Sequence, residues 1–278
     1  MNPTKNYHYF LAAALILLII SAFFLLKNRS EIGERLSQPE RTLILEESSD
    51  MLSSKSPDWW LNSGGVMQFF GPEFQTNFGE LPENSSWKKL YAKSNSKDTD
   101  GGYHPQNIFR LVTKSQWKNL DQSVYFYIDK INLSESSNRN QSNGVLLFNR
   151  YRDGDNLYYT GVRVDGHAVI KKKIDGEYFT LAEKKIMSGK EYDSQNNFNA
   201  LPLKRWMGIK SEVTNIGPET VNIKLFFDQG GRGEWKQILE ITDEGDDDSS
   251  STITDKGYAG IRTDFMDVKF KDYKIKEK

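Results

Sequence analysis

The chain predicts an all-β sandwich of antiparallel strands, preceded by a single N-terminal transmembrane helix. Three observations carry this expectation. After residue 65, apolar and polar residues alternate with period two in one segment after another, with turn residues between the segments. The same region has no long 3.6-residue period and no internal repeat, which argues against a propeller or a solenoid. Ahead of it, Tyr9–Leu26 (YFLAAALILLIISAFFLL) is an uncharged apolar run of 18 residues. A helix of that length, rising about 1.5 Å per residue, nearly spans a hydrocarbon core.

Residues 1–8 read as a short tail and residues 9–26 as the anchor. A cleaved signal peptide has a shorter apolar region closed by a small-x-small site. Here Ser21 and Ala22 are followed by Phe23, Phe24, Leu25 and Leu26, so the run reads as an uncleaved signal-anchor. Residues 27–65 are polar, mixed in charge and Ser-rich in places, and read as a stalk. The pair Trp59-Trp60 within it is expected to pack on the domain edge.

Residues 66–278 form the expected sandwich domain. In Ser123–Ile131, Val124, Phe126 and Ile128 share one face, and Tyr125, Tyr127 and Asp129 the other. In Thr220–Asp228, Val221, Ile223, Leu225 and Phe227 share a face. Trp87–Ala92 and Arg205–Val213 are also expected as strands, with Trp206 in the core. The most legible stretch is Asn143–Gly176, three strands joined by turns at Asp153–Asn156 and Asp165-Gly166. Gly accepts the positive φ that tight hairpin turns need, so this stretch predicts an antiparallel meander. The polar segments Ser134–Asn143 and Glu244–Ser251 are expected to be loops.

Composition limits the function classes. A net charge of −1 gives no electrostatic case for nucleic acid. The absence of cysteine removes disulfides, thiolate metal sites and cysteine nucleophiles. Aromatic residues make up 13% of the chain, which suits strands and sugar-binding surfaces equally.

Four pieces of sequence carry a family resemblance: NGVLLFNRYRDGDNLYYTGVRV, VIKKKIDGEYFTLAEK, KRWMGIKSEV and the closing GYAGIRTDFMDVKFKDYKI. In this order they resemble the concanavalin A-like lectin/glucanase superfamily, in particular its laminin G-like and glycoside-hydrolase-associated sandwich domains. The resemblance implies a jelly roll of two curved antiparallel sheets. It also implies an extracytoplasmic domain that binds carbohydrate or another surface ligand. Lys27, Arg29 and Arg35 after the apolar run pull the other way, since basic residues favour the cytoplasmic side. The expectation adopted is a membrane-anchored, extracytoplasmic binding domain. The alternatives are a diverged glycoside hydrolase of the same fold and a structural or protein-interaction domain of the envelope.

Glucanase chemistry needs paired carboxylates about 5–5.5 Å apart for retaining cleavage, and a Glu-x-Asp-x-x-Glu run on one strand would supply them. No such run is present; the nearest candidates are Glu240–Glu244 and Asp246–Asp248. No catalytic residue is therefore assigned. For binding, Tyr159 and Arg163 share a strand face, with Arg150 expected beside them and Lys171 or Lys172 on the next strand. These side chains are the expected ligand platform, and burial of Tyr159 and Arg163 would reduce the meander to scaffold. The resemblance further implies a structural Ca2+ bound through a last-strand carboxylate, for which Asp272 is the candidate. Such an ion needs about six to eight oxygen ligands.

Overall fold

The computed structural model describes residues 43–245 and 251–278, within a compact unit that spans Thr42–Lys278. The expected anchor Tyr9–Leu26 and the acidic triplet Asp246–Asp248 lie outside the described residues. Among the described residues, no helix is long and apolar enough to cross a membrane.

Fifteen strands occur among the described residues. They are β1 (Leu43–Glu46), β2 (Trp59–Ser63), β3 (Val66–Phe70), β4 (Glu73–Thr76), β5 (Ile108–Trp117), β6 (Leu120–Ile131), β7 (Gly144–Tyr151) and β8 (Leu157–Arg163). They continue with β9 (His167–Ile174), β10 (Glu177–Lys185), β11 (Trp206–Asn215), β12 (Val221–Asp228), β13 (Lys236–Asp243), β14 (Gly257–Asp264) and β15 (Met266–Glu277). An eight-stranded sheet has the order β1-β3-β4-β15-β6-β11-β12-β13, and a seven-stranded sheet the order β10-β9-β8-β7-β14-β5-β2. Neighbouring strands pair antiparallel throughout. The all-β sandwich expected from the alternation is therefore observed.

The two sheets close over a shared core, and the pleat decides which residues enter it. Val124, Phe126 and Ile128 of β6 are fully buried against Leu111, Leu147 and Ile261 from the opposing sheet. A second cluster joins Tyr158 and Ile170 to Val221, Ile223 and Leu225. One polar device bridges the layers. Asn149 on β7 accepts from Gln122 (2.8 Å) and Ser211 (2.7 Å) of the other sheet, and donates to Thr160 on β8 (3.1 Å). Asn149, Gln122, Ser211 and Thr160, all buried, thereby each keep a partner.

Three expectations differ from the fold. The sandwich begins earlier than residue 66, because β1 pairs with β3 and β2 with β5. Trp87–Ala92 is not a strand but part of a helix, α1 (Ser86–Ser94). Ser85 is extended and its hydroxyl accepts from the Lys88 amide, which supplies an N-cap; only Tyr91 of the helix is buried. Trp206 does not enter the core. Met207 and Ile209 point inward, so Trp206, Gly208 and Lys210 face outward. Trp206 lies 5.5 Å from Tyr127, and the Lys271 ammonium sits 4.2 Å over its ring.

Candidate functional site

The meander expected at Asn143–Gly176 is β7, β8 and β9 with the predicted turns. Gly166 takes φ +83°, and Asp175-Gly176 takes positive φ at both residues, as a tight hairpin turn requires. Tyr158, Thr160 and Val162 point into the sandwich, so Leu157, Tyr159, Gly161 and Arg163 line the outer face of the seven-stranded sheet.

Strand register organises that outer face in rows. Arg110 on β5 stands opposite Arg262 on β14, then Leu146, Gly161 and Val169 follow across β7, β8 and β9. The adjacent row runs Phe148, Tyr159, Lys171. Gly161 leaves the first row without a side chain between Leu146 and Val169, and an added Cβ would come 2.3 Å from the Val145 carbonyl. A cavity of about 440 Å³ opens here, lined by Arg110, Arg262, Lys171, Tyr159 and Tyr178. Its rim includes Asp98, Asn138 and Asn140.

Arg262 is the hub of the pocket. Its Nε donates to both oxygens of Asp264, at 3.0 and 2.9 Å, and its guanidinium carbon lies 5.5 Å from the Tyr159 ring centroid. Burial works against its charge, but Asp264 and the two phenols outweigh burial and hold it more firmly protonated than a free guanidinium. Tyr178 stacks on Tyr159 with centroids 6.0 Å apart and keeps 53% of its surface exposed. Burial pushes the Tyr159 phenol up to about 12. Burial also acts to raise the Tyr178 phenol, yet Arg262 and Lys173 bring it below the ordinary value. Lys173 stands 4.9 Å over the Tyr178 ring.

The expected site residues separate. Tyr159 and Lys171 line the pocket together. Tyr159 is only 4% exposed, because Tyr178 and Arg262 cover it, and Arg163 is buried as well, so the expected Tyr159–Arg163 platform is scaffold and the exposed ring at the pocket is that of Tyr178 on β10. Arg163 lies on the same face but is buried in ion pairs with Asp165 and Glu183 and acts as scaffold. Arg150 does not stand beside Tyr159. It takes φ +52° and is fully buried, donating to the carbonyls of Lys118 (2.8 Å) and Ile253 (2.5 Å). Lys172, the alternative to Lys171, points inward and pairs with Asp243 at 2.9 Å. Asp243 also accepts from Tyr158 at 2.6 Å, so the Glu240–Glu244 segment contributes a buried acid to the core.

Asp272 is exposed at a left-handed bulge of β15, between Lys271 and Lys274. Among the described residues, no three His, Cys, Asp or Glu side chains gather as a metal site. One exposed carboxylate flanked by lysines fits a hard cation poorly.

Arg110, Arg262, Asp264 and Tyr178 were not among the expected site residues. The signal was present: Phe109 and Leu111 alternate with Arg110, and Ile261 with Arg262, so pleat arithmetic places both arginines on the outer face.

No family model matches the chain, and no curated protein matches it. Solved structures that resemble it include the carbohydrate binding module CBM66 from Bacillus subtilis, at 10% identity and a TM-score of 0.44, covering 79% of this chain and 95% of that one. The exoplasmic/lumenal domain of VIP36 in its Ca2+/Man-bound form aligns at 12% identity and a TM-score of 0.40, covering 84% and 89%. A mutant form of the GH43 protein BlXynB from Bacillus licheniformis aligns at 11% identity and a TM-score of 0.40, covering 76% of this chain but 37% of its own. These likenesses are loose, and the fold stands on the strand order itself. What fold and site define is a two-sheet antiparallel sandwich, of the kind the concanavalin A-like resemblance implied, with a basic, tyrosine-lined pocket on the outer face of its smaller sheet.

Proposed function

We propose that this protein is a carbohydrate-binding sandwich, and that the pocket between Arg110, Arg262, Tyr159 and Tyr178 is its ligand site. The observation that carries the proposal is the half-exposed Tyr178 ring stacked over Tyr159 beside a guanidinium fork. Aromatic faces cover the apolar sides of sugar rings, and planar polar groups read their hydroxyls with directional hydrogen bonds. Asn138 and Asn140 on the rim add amides that both donate and accept.

Binding without catalysis fits the acids present. Asp264 is committed to Arg262, and Asp98 accepts from Ser136 and Asn138. Neither is a free partner for the acid and nucleophile of glycoside cleavage. The run Tyr9–Leu26 would tether the domain as an uncleaved anchor on the outer side of a membrane.

A glycan array probed with the full-length chain in a sugar-free detergent tests the proposal, with saccharide binding as the expected result. Failure to retain any glycan would remove it, and reducing-sugar release from a bound polysaccharide would convert it into a hydrolase. Protease access to the domain in intact cells tests the orientation, and protection there would place the domain on the cytoplasmic side.

A further inference from the structure

The pocket holds three basic side chains, and they are not equally occupied. Arg262 is neutralised by Asp264. Arg110 donates through Nη1 to uncharged oxygens alone, the Ile108 carbonyl at 3.1 Å and the Ser63 hydroxyl at 3.3 Å. Lys171 forms no ion pair among the described residues; nearby Glu183 is paired with Arg163. The other acid of the lining, Asp98, is bound by neutral donors on the rim.

Two cations therefore face the cavity without a carboxylate of their own, and their surroundings resist their charge. Burial lowers the proton affinity of Arg110 and Arg262 opposite adds like-charge repulsion, with the Asp264 carboxylate opposing only in part. Burial and the Arg163 guanidinium act on Lys171 in the same direction. An anion entering the pocket would relieve both, and charge-assisted hydrogen bonds to guanidinium and ammonium are the strong ones.

The two cations stand far apart. Arg110 is on β5 and Lys171 on β9, with β14, β7 and β8 between them. Four interstrand spacings of about 4.8 Å separate their backbones, so a single small anion does not reach both. Between them the pocket is lined by Leu146, Val169 and the wall of Tyr159 under Tyr178.

Resting on the pocket being a saccharide site, we propose that its ligand is an acidic oligosaccharide lying across β14, β7 and β8, with carboxylate or sulfate groups meeting Arg110 at one end and Lys171 at the other. Isothermal titration of the full-length chain tests this with two matched pairs. One is oligogalacturonate against its carboxyl-reduced form, and the other a heparin oligosaccharide against its desulfated form. We expect at least one acidic member to bind about tenfold or more tightly than its neutral counterpart, and to weaken as salt rises. Arg110→Gln and Lys171→Gln should each remove most of that preference, while Lys184→Gln, an exposed lysine outside the pocket, should leave it intact. Thermal melts of each variant separate lost binding from lost folding. Equal affinity for acidic and neutral members, or a preference that survives Lys171→Gln, overturns the acidic-ligand proposal and leaves the saccharide site standing. Absence of binding to all four probes and to the whole array removes both. Whichever acidic member binds identifies carboxylate or sulfate as the recognised group.

Discussion

The guanidinium of Arg262 lies over the ring of Tyr159, with Nη1 3.4 Å from the phenol oxygen, while its Nε holds Asp264. One side chain thus ties the β14 acid to the β8 aromatic and sets the electrostatics of the pocket. Tyr178 completes the arrangement from β10, near enough for Arg262 to depress its phenol.

That relationship has a spectroscopic consequence. Tyr178 should be the first of these pocket tyrosines to ionise, below the ordinary phenol value, whereas Tyr159 is pushed up to about 12. Ultraviolet titration should show an early phenolate in the wild type that Tyr178→Phe removes and Arg262→Met moves upward. An early phenolate that persists in Tyr178→Phe would contradict the assignment.

Arg150 should behave as a structural residue. Its charge is buried, which pushes it down to about 10, and two backbone carbonyls depend on its guanidinium. Arg150→Ala is expected to cost roughly 2–4 kcal/mol, since it strands those carbonyls and leaves a large void. Denaturant melts should register the loss, and saccharide affinity at a temperature where the variant is folded should match the wild type. Affinity lost from a folded variant would restore Arg150 to the site.

Much of this was legible in the sequence, and the parts that were not share a cause. Period-two alternation fixes which residues of β6, β8 and β12 face inward, so the sandwich and the outward placement of Tyr159 and Arg163 follow from pleat alone. Alternation does not say what covers an outer face. Arg163 is removed from the site by Asp165 and Glu183, one of them twenty residues away, and Tyr159 is roofed by Tyr178 from β10. The positive φ of Arg150 breaks the pleat at the end of β7, so counting in twos misplaces its side chain. Trp87–Ala92 resembled a strand because it is short and aromatic, whereas the Ser85 cap decides for helix.

The link between the first strand and α1 should be pH-sensitive. The Glu47 carboxylate accepts from the Tyr91 hydroxyl at 2.5 Å and the Gly65 amide at 2.8 Å. Burial nevertheless raises its carboxyl above the ordinary value, with those donors opposing. A carboxyl whose folded pKa exceeds its unfolded one binds its proton more tightly in the folded state. Its ionised form therefore costs stability, a cost absent below the unfolded value near 4.5 and full once pH passes the folded value. Glu47→Gln escapes this cost, so its melting temperature relative to wild type should rise between pH 4.5 and 8. A constant or shrinking difference would refute the assignment.

The most direct test of the ligand site is the affinity of the best array glycan for wild type and Tyr178→Ala, measured by titration calorimetry. Tyr178 is half exposed and outside the core, so the variant should fold normally. Its ring is the accessible stacking surface, and base- or sugar-scale aromatic contacts suggest a loss of about tenfold or more on truncation. Unchanged affinity in Tyr178→Ala, with the same melting temperature, would contradict the account and move the binding site elsewhere on the molecule.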